Sequence, residues 1–402
     1  MPEQRTTTGV DVPTLFFAVS GIAAGAFLPF LRVKPNRIAD GVGQVLTNVS
    51  VPAAACLAVL WLGAAAAAVF LRPGLLRSRI AAAAAVAVPV AALLAAGSGA
   101  ARIAGGDTVA RVSLAAGFWV TAFLGYALFL STSARAGIGE GFLRQALGLS
   151  IPVVLVVLLA TGFLDAVSVM REWAAQKAVF LQESVTHLVV SGEAVLLGGV
   201  LGVLVGIAAV RRPGVRRVAF FVLNIVQTIP SLALFGLLIL PLAALSRDFP
   251  LLRHWGISGI GRAPALIALA FYAMLPIARN TYTALSQIPS SVRDAGRGMG
   301  MTRGQLLARV EVPLALPVIM AGVRTAAVQT VGNTVVTALI GAGGLGVFIF
   351  QGLGQFAADM ILLGTLPVIA MALATDMVMA GAVRLLTPRP LRGRFGPAGV
   401  SS

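Results

Sequence analysis

Few side chains in this sequence can carry charge or move a proton, and several sit where ionisation is expensive. Glu193, Arg279, Arg324 and Asp376 fall inside long apolar runs, where a charged group must find a partner or face water. Arg279 is close enough to the end of its run for the guanidinium to snorkel. Arg324 is deeper and needs a hydrogen-bonding partner, either backbone or Asp376. Glu193, or Asp165 near the end of another run, is the kind of carboxylate an ion-coupled carrier would use as a proton relay. His187 and His254 are far apart and lack metal-ligand spacing. Cys56 is the single cysteine, so neither a disulfide within one chain nor a thiol pair for a metal is available. No Ser/His/Asp set and no paired carboxylates point to bond chemistry. The chemistry on offer is charge handling inside a membrane, with no catalytic residue and no metal site.

The elements that must position these residues follow from composition. Of 402 residues, 58% are hydrophobic and only 11% charged, against roughly a quarter charged in ordinary soluble domains. Apolar runs of 18 residues or more recur, each able to cross roughly 30 Å of hydrocarbon as a helix. The fold class is therefore all-α and polytopic, embedded in a lipid bilayer. Ten spans are predicted, at about 13–31, 51–71, 80–97, 113–130, 149–168, 188–210, 218–240, 264–285, 313–339 and 359–383. The net charge of +16 comes from short basic clusters between spans, where topology-setting charges belong, so no nucleic acid is implied. Arg72, Arg77, Arg79, Arg135, Arg144, Arg211, Arg212, Arg216 and Arg217 fall in inner loops if the N-terminus is inside. With Arg384, Arg389, Arg392 and Arg394 in the tail, the bias places both ends in the cytoplasm. Fewer basic residues, Arg37 among them, fall in outer loops. The first run lacks a basic lead and a small-residue cleavage site, so it reads as a retained helix.

The chain changes character near residue 170. Earlier spans are rich in alanine and leucine; later ones carry polar or breaking residues such as Asn224, Gln227, Pro230, Asn280 and Asn333. The resulting division is an N-terminal membrane region of about five helices (1–170), a connecting outer segment (171–187), a membrane domain (188–385) and a basic tail (386–402). In the connector, Trp173, Val179 and Phe180 can share one face of an amphipathic helix, or the segment is an ordinary link.

One polar interlude interrupts the greasy half. Residues 293 to 317, "RDAGRGMGMTRGQLLARVEVPLALP", hold four arginines and four glycines. Ser291 with Asp294 is a capping pattern for a helix start, and Gly300 is suited to end that helix in the left-handed conformation. Thr302 with Gln305 forms a second capping box, and Met301 with Leu306 fits a hydrophobic staple. The next helix runs from about Arg303 to Pro313, where the following span begins. Met299, Met301, Leu306 and Leu307 are available as apolar contacts. On charge alone this is either a basic inner loop or a docking element for a soluble partner.

Here the sequence resembles the permease subunits of bacterial ABC importers. Their loop motif is Glu-Ala-Ala, three residues, Gly, nine residues, Ile, one residue, Leu-Pro. This chain has Asp294-Ala295-Gly296, then Gly300, then Val310, Glu311 and Val312-Pro313, with every spacing kept. The phrases "NIVQTIPSLALFGLLI" (224–239), "FYAMLPIARNTYTAL" (271–285) and "TALIGAGGLGVFIFQGL" (337–353) look like those of permeases importing glycine betaine, choline, carnitine and related osmoprotectants. The resemblance spans roughly 185–385, and the N-terminal part is similar to a longer subgroup. It implies a type I core of five helices in the bacterial inner membrane, with a coupling segment comprising Asp294, Ala295, Gly296, Met299, Gly300, Met301, Thr302, Arg303, Gln305, Leu306 and Leu307. It further implies a cytoplasmic ATPase subunit that binds the ATP, an extracytoplasmic substrate-binding protein, and a permease homodimer or a pair with a homologous permease. No cofactor would be held by this chain.

Other constellations are candidates for a pathway or gate. Pro230 interrupts a span and should leave the carbonyl near Val226 without its donor, with Gln227, Thr228 and Ser231 around the break. Such a kink lines a pathway or merely packs. Arg279, Asn280, Arg324 and Asn333 are polar groups in the same half. "GAGGLG" (341–346) lacks the Lys-Ser/Thr ending of a phosphate loop; Gly341, Gly343 and Gly344 allow a tight turn that helps form a gate or is turn chemistry alone. An ion-coupled secondary transporter using Glu193 or Asp165 is the alternative function, and a membrane-anchored interaction protein without a pathway is a third.

Overall fold

The computed structural model describes residues 9–35, 39–107, 109–133, 142–254 and 256–387. Arg37, Arg135, Arg389, Arg392, Arg394 and the basic tail from 388 onward lie outside the described residues, as does the side chain of Arg144. The chain divides into two compact units, Met1–Ala175 and Gln176–Ser402.

In the first unit, α1 (Val12–Phe27) starts where the Asp11 carboxylate accepts from the Thr14 hydroxyl at 2.9 Å. A short α2 (Leu46–Val49) leads to α3 (Val51–Phe70), which begins with the Ser50 hydroxyl accepting from the Ala53 N–H. The long α4 (Leu75–Ala104), α5 (Ala116–Ser133), α6 (Phe142–Ala160) and α7 (Ser168–Ala175) follow. Small side chains let these helices approach: Gly21 leaves room for the Trp61 ring, which a Cβ there would meet at 2.2 Å. A small antiparallel sheet, in the order β2-β1-β3, joins β1 (Pro29–Lys34), β2 (Val42–Val45) and β3 (Arg111–Leu114). The sheet corrects the predicted span 13–31, because the chain leaves the helix at Phe27 and Pro29 opens a strand. It is a local addition to an otherwise helical architecture.

The second unit contains α8 (Lys177–Arg211), α9 (Pro213–Thr228), α10 (Ser231–Asp248), α11 (Pro250–His254), α12 (Arg262–Ser286), α13 (Ser290–Gly298), α14 (Arg303–Leu306), α15 (Val312–Asn333), α16 (Gly346–Gly354) and α17 (Ala358–Leu386). Helix α8 packs along α12 because Gly198, Gly202 and Gly206 recur every four residues on one face. A Cβ at these positions would lie 2.6 Å from the Ala270 carbonyl oxygen, 3.0 Å from that of Met274 and 2.5 Å from Thr281 Cβ. Close backbone approach of this kind holds helices together in lipid, where apolar burial gives no drive. Among the described residues eight helices are long and apolar enough to cross a membrane, and two shorter apolar helices, Val12–Phe27 and Gly148–Ala160, accompany them.

Two sequence expectations change here. The predicted span 218–240 is two helices, α9 and α10, parted at Ile229-Pro230. The connector is not a separate amphipathic helix: Trp173 belongs to α7, while Val179 and Phe180 already belong to α8.

Candidate functional site

The segment between α12 and α15 is built almost entirely from local rules. Helix α13 begins one residue before the expected cap, after Pro289, and no side chain caps it. Asp294 instead pairs with Arg297 one turn on, at 3.2 Å and with both groups exposed. At the other end Gly300 has φ +78°. Its N–H donates to the Arg297 carbonyl at 2.9 Å, and the Met301 N–H donates to that of Gly296 at 3.2 Å, the pair of bonds that defines a Schellman ending. The capping box then starts α14: the Thr302 hydroxyl accepts from the Gln305 N–H at 3.3 Å, and Gln305 Oε1 accepts from the Thr302 N–H at 2.9 Å.

Gly296 is needed for packing. A Cβ there would come within 2.5 Å of Leu306 Cδ1 and 3.6 Å of the Met301 sulfur, so the staple residues close onto its bare Cα. Leu306 is buried, whereas Ala295, Met299, Thr302, Arg303 and Gln305 are exposed. Leu307 packs with Ile288, Val292, Ala315 and Ile319, joined by Val210, which anchors the segment to the ends of the long helices. Pro313 does not separate α14 from the next span. A π-helical turn, Leu307–Glu311, carries the helix through, with the Val312 N–H donating to the Leu307 carbonyl. The extra residue in that turn accommodates the proline's missing donor.

The break at Pro230 is satisfied differently from the sequence expectation. The Val226 carbonyl accepts from the Ile229 N–H at 3.2 Å. The carbonyl in need is that of Ile229, and the Tyr272 hydroxyl donates to it. Tyr272 lies four residues before Pro276 in α12, so its own carbonyl lacks the usual helical donor; Gln227 Nε2 supplies one at 2.7 Å. Two proline breaks thus clasp each other. Thr228 turns back to the Ile225 carbonyl at 2.7 Å, and Ser231 opens α10 half-buried. Asn280 Nδ2 caps the Pro276 carbonyl at 2.8 Å.

Of the charges expected inside spans, Arg324, Asp376 and Glu193 form ion pairs. Arg324 in α15 and Asp376 in α17 form a two-point contact at 2.6 and 2.7 Å, the geometry in which guanidinium and carboxylate bind most strongly. Glu193 pairs with Arg262. Arg279 donates to Asn224 Oδ1 at 2.6 Å. Asp165 is exposed in the turn after α6. Within the second unit Arg324, Glu193 and Arg279 each have a separate partner.

Past Asn333, the end of α15, the chain tightens into a 3-10 turn, Thr334–Ile340, and then the glycine turn. Gly341, Gly343 and Gly344 have φ of +76°, +77° and +94°, conformations that glycine adopts without steric cost. Thr337 donates through its hydroxyl to the Gly343 carbonyl at 3.2 Å.

Comparison with known proteins decides what this arrangement belongs to. Residues 198–392 match the family model of the binding-protein-dependent transport system inner membrane component, and residues 9–170 match that of the ABC transporter permease YehY, N-terminal domain. The glycine betaine/carnitine/choline transport system permease protein OpuCB of Bacillus subtilis is 41% identical over 52% of this chain and 88% of its own length. The osmoprotectant import permease protein OsmW of Salmonella typhimurium is 41% identical over 51% of this chain and 91% of its own. This chain belongs to the ABC importer permeases. It is a permease subunit of an ATP-driven importer, embedded in the membrane by multiple spans. A solved structure of the MetNI methionine ABC transporter in inward-facing conformations is 25% identical over 53% of this chain and 99% of that one, with a TM-score of 0.46.

Three features of this permease escaped sequence reasoning. Arg293 bridges to Glu311 at 2.8 Å and also donates to the Leu285 carbonyl, tying α13 to the π turn and the end of α12. The only signal was the surviving pair of opposite charges eighteen residues apart. Tyr272 was discoverable from Pro276 four residues later, which orphans its carbonyl. Glu183 and His187, spaced for one helix face, receive N–H donors from Gly344 and Leu345, across a sequence distance that no local pattern reveals.

Proposed function

We propose that this permease carries glycine betaine or a related quaternary amine into the cell, as the membrane subunit of an osmoprotectant importer. The curated relatives named for betaine, carnitine, choline and osmoprotectant transport support that substrate class. Segment 290–311 is the coupling element that meets a cytoplasmic ATPase. An extracytoplasmic binding protein delivers the substrate, and two permease copies, or this chain with a homologous permease, enclose the path. Both chain ends are cytoplasmic.

The observation that carries this reading is the segment's construction. Its conformation is fixed by its own turn and capping bonds, its root is anchored among helix ends, and its outer face presents Ala295, Met299 and Arg303. A preformed exposed surface on a firm root suits the transmission of a partner's movement into the spans. The path lies near the clasped breaks of α9–α10 and α12, with Gln227, Thr228, Pro230, Ser231 and Asn280 beside it. Of the two carboxylates the ion-coupled alternative would use, Glu193 is paired with Arg262 and Asp165 is exposed in the turn after α6.

Uptake into liposomes bearing the permease, its ATPase and its binding protein tests the reading with labelled glycine betaine, choline and carnitine. The expected result is ATP-dependent accumulation of at least one of them. Uptake that persists without the ATPase and collapses with the proton gradient would establish an ion-coupled carrier instead.

A further inference from the structure

One face of α8 holds the glycine turn and α16 at three successive points. Phe180 lies against Phe348, with ring centroids 6.0 Å apart. One turn along, the Glu183 carboxylate accepts the Gly344 N–H. One turn further, His187, with no exposed surface, uses both ring nitrogens: Nδ1 accepts from the Leu345 N–H at 3.3 Å, and Nε2 lies 2.9 Å from the Val331 carbonyl oxygen. A carbonyl can only accept and an amide N–H can only donate, so the pair of bonds selects the neutral tautomer with its proton on Nε2.

The fit is close on both sides. A Cβ at Gly343 would come 2.8 Å from Glu183 Oε2, and one at Gly344 3.1 Å from His187 Nδ1. These glycines give the carboxylate and the imidazole access to backbone N–H groups, in the manner of an anion-receiving nest. No side chain caps α16 at Leu345 itself, and Leu345 and Phe348 are fully buried. The start of α16 is therefore held from α8, while its length packs against α17 through Gly352 and Gly364.

We propose that Glu183 and His187 are positioning residues for transport: they make the glycine turn and α16 follow α8, so that the segment moves with the spans when ATP is spent. The inference rests on the importer reading above. Loss of the grip leaves the complex assembled and hydrolysing ATP, but the segment between α15 and α17 no longer follows and turnover runs without delivery.

Two substitutions separate the grip from mere filling of space. In His187→Asn the amide oxygen can take the place of Nδ1 and keep the Leu345 bond. In His187→Gln the longer side chain reaches Val331 but leaves the Leu345 N–H buried without an acceptor, a costly loss. In the reconstituted complex His187→Asn is expected to keep substrate delivered per ATP within about twofold of the parent, and His187→Gln to lower it about tenfold with ATP hydrolysis maintained. Equal ratios in the two variants would overturn the proposal. Spin labels at Gln182→Cys and Gln351→Cys, in a Cys56→Ser background, give a readout independent of transport. Their separation should be narrowly distributed in the parent and in His187→Asn and broadened in His187→Gln; an unchanged distribution in His187→Gln would also overturn it. A parent complex that shows no ATP-driven uptake would refute the importer reading, and the label distances would still decide whether the grip exists.

Discussion

Two glycine turns in the second unit close locally in the same way and differ in what else holds them. The turn at Gly300 is closed by bonds that span no more than five residues, and the helix after it starts from its own capping box. The turn at Gly341–Gly344 opens with the same local pair, the Gly341 N–H to the Ala338 carbonyl and the Ala342 N–H to that of Thr337, and adds contacts from Glu183 and His187 that cross 161 and 158 residues of sequence. The first is a self-contained object, suited to an exposed site that must be ready for a partner. The second adds a long-range hold from α8 to its local bonds, which suits a segment that follows the position of a span.

The sharpest way to break the contrast is to remove the first turn's conformation. Gly300→Pro cannot adopt φ +78° and lacks the N–H given to Arg297, so the Schellman ending is lost. ATP-driven uptake is expected to fall to background, with membrane insertion and the fold of the first unit intact by proteolysis. Charge reversal across Arg297 and Arg303 should likewise abolish uptake without loss of insertion, and normal transport by both variants would remove the docking role.

A matched pair of alanine substitutions comes next. At Gly300 a Cβ meets nothing within 4 Å, so Gly300→Ala carries only the left-handed backbone cost, about 1–2 kcal/mol. At Gly344 the same backbone cost is joined by an approach to His187 Nδ1. Thermal melts of the purified permease should show a larger loss for Gly344→Ala than for Gly300→Ala. Equal losses would mean that the α8 grip does not distinguish the two turns.

The smallest effect is at the capping box. Thr302→Ala should cost about 1 kcal/mol, while Thr302→Ser keeps the hydroxyl and stays near the parent. A melt that ranks serine with alanine would show that Thr302 does not act through its oxygen.

The same contrast explains what could be read in the sequence. Helical class, the left-handed Gly300 and the Thr302/Gln305 box were legible because hydropathy and capping act over a few residues. The proposed Ser291/Asp294 cap failed because two local rules competed there: Pro289 already takes the cap position, and Asp294 faces Arg297 one turn away. The break at Pro230 was located correctly but its needy carbonyl was not, since the partner, Tyr272, became available through a different proline. The strand at Pro29–Lys34 was missed because its first three residues end an apolar run that also reads as helix, as short apolar runs do. Arg324 could be given two candidate partners, backbone or Asp376, because a deep cation demands an acceptor, and Asp376, 52 residues on, is the one it meets; the glycine turn made no such demand on its sequence.

Segment 290–311 is the surface we propose the ATPase meets. Met299 is 69% exposed on that segment, and Cys56 is the chain's single cysteine, so Met299→Cys in a Cys56→Ser background gives one addressable site. Cross-linking in the complete complex is the most direct measurement. A covalent adduct is expected between this position and the ATPase subunit, with a yield that changes when ATP binds. No adduct at Met299→Cys, with efficient adducts to the ATPase from Gln351→Cys in the same background, would contradict it.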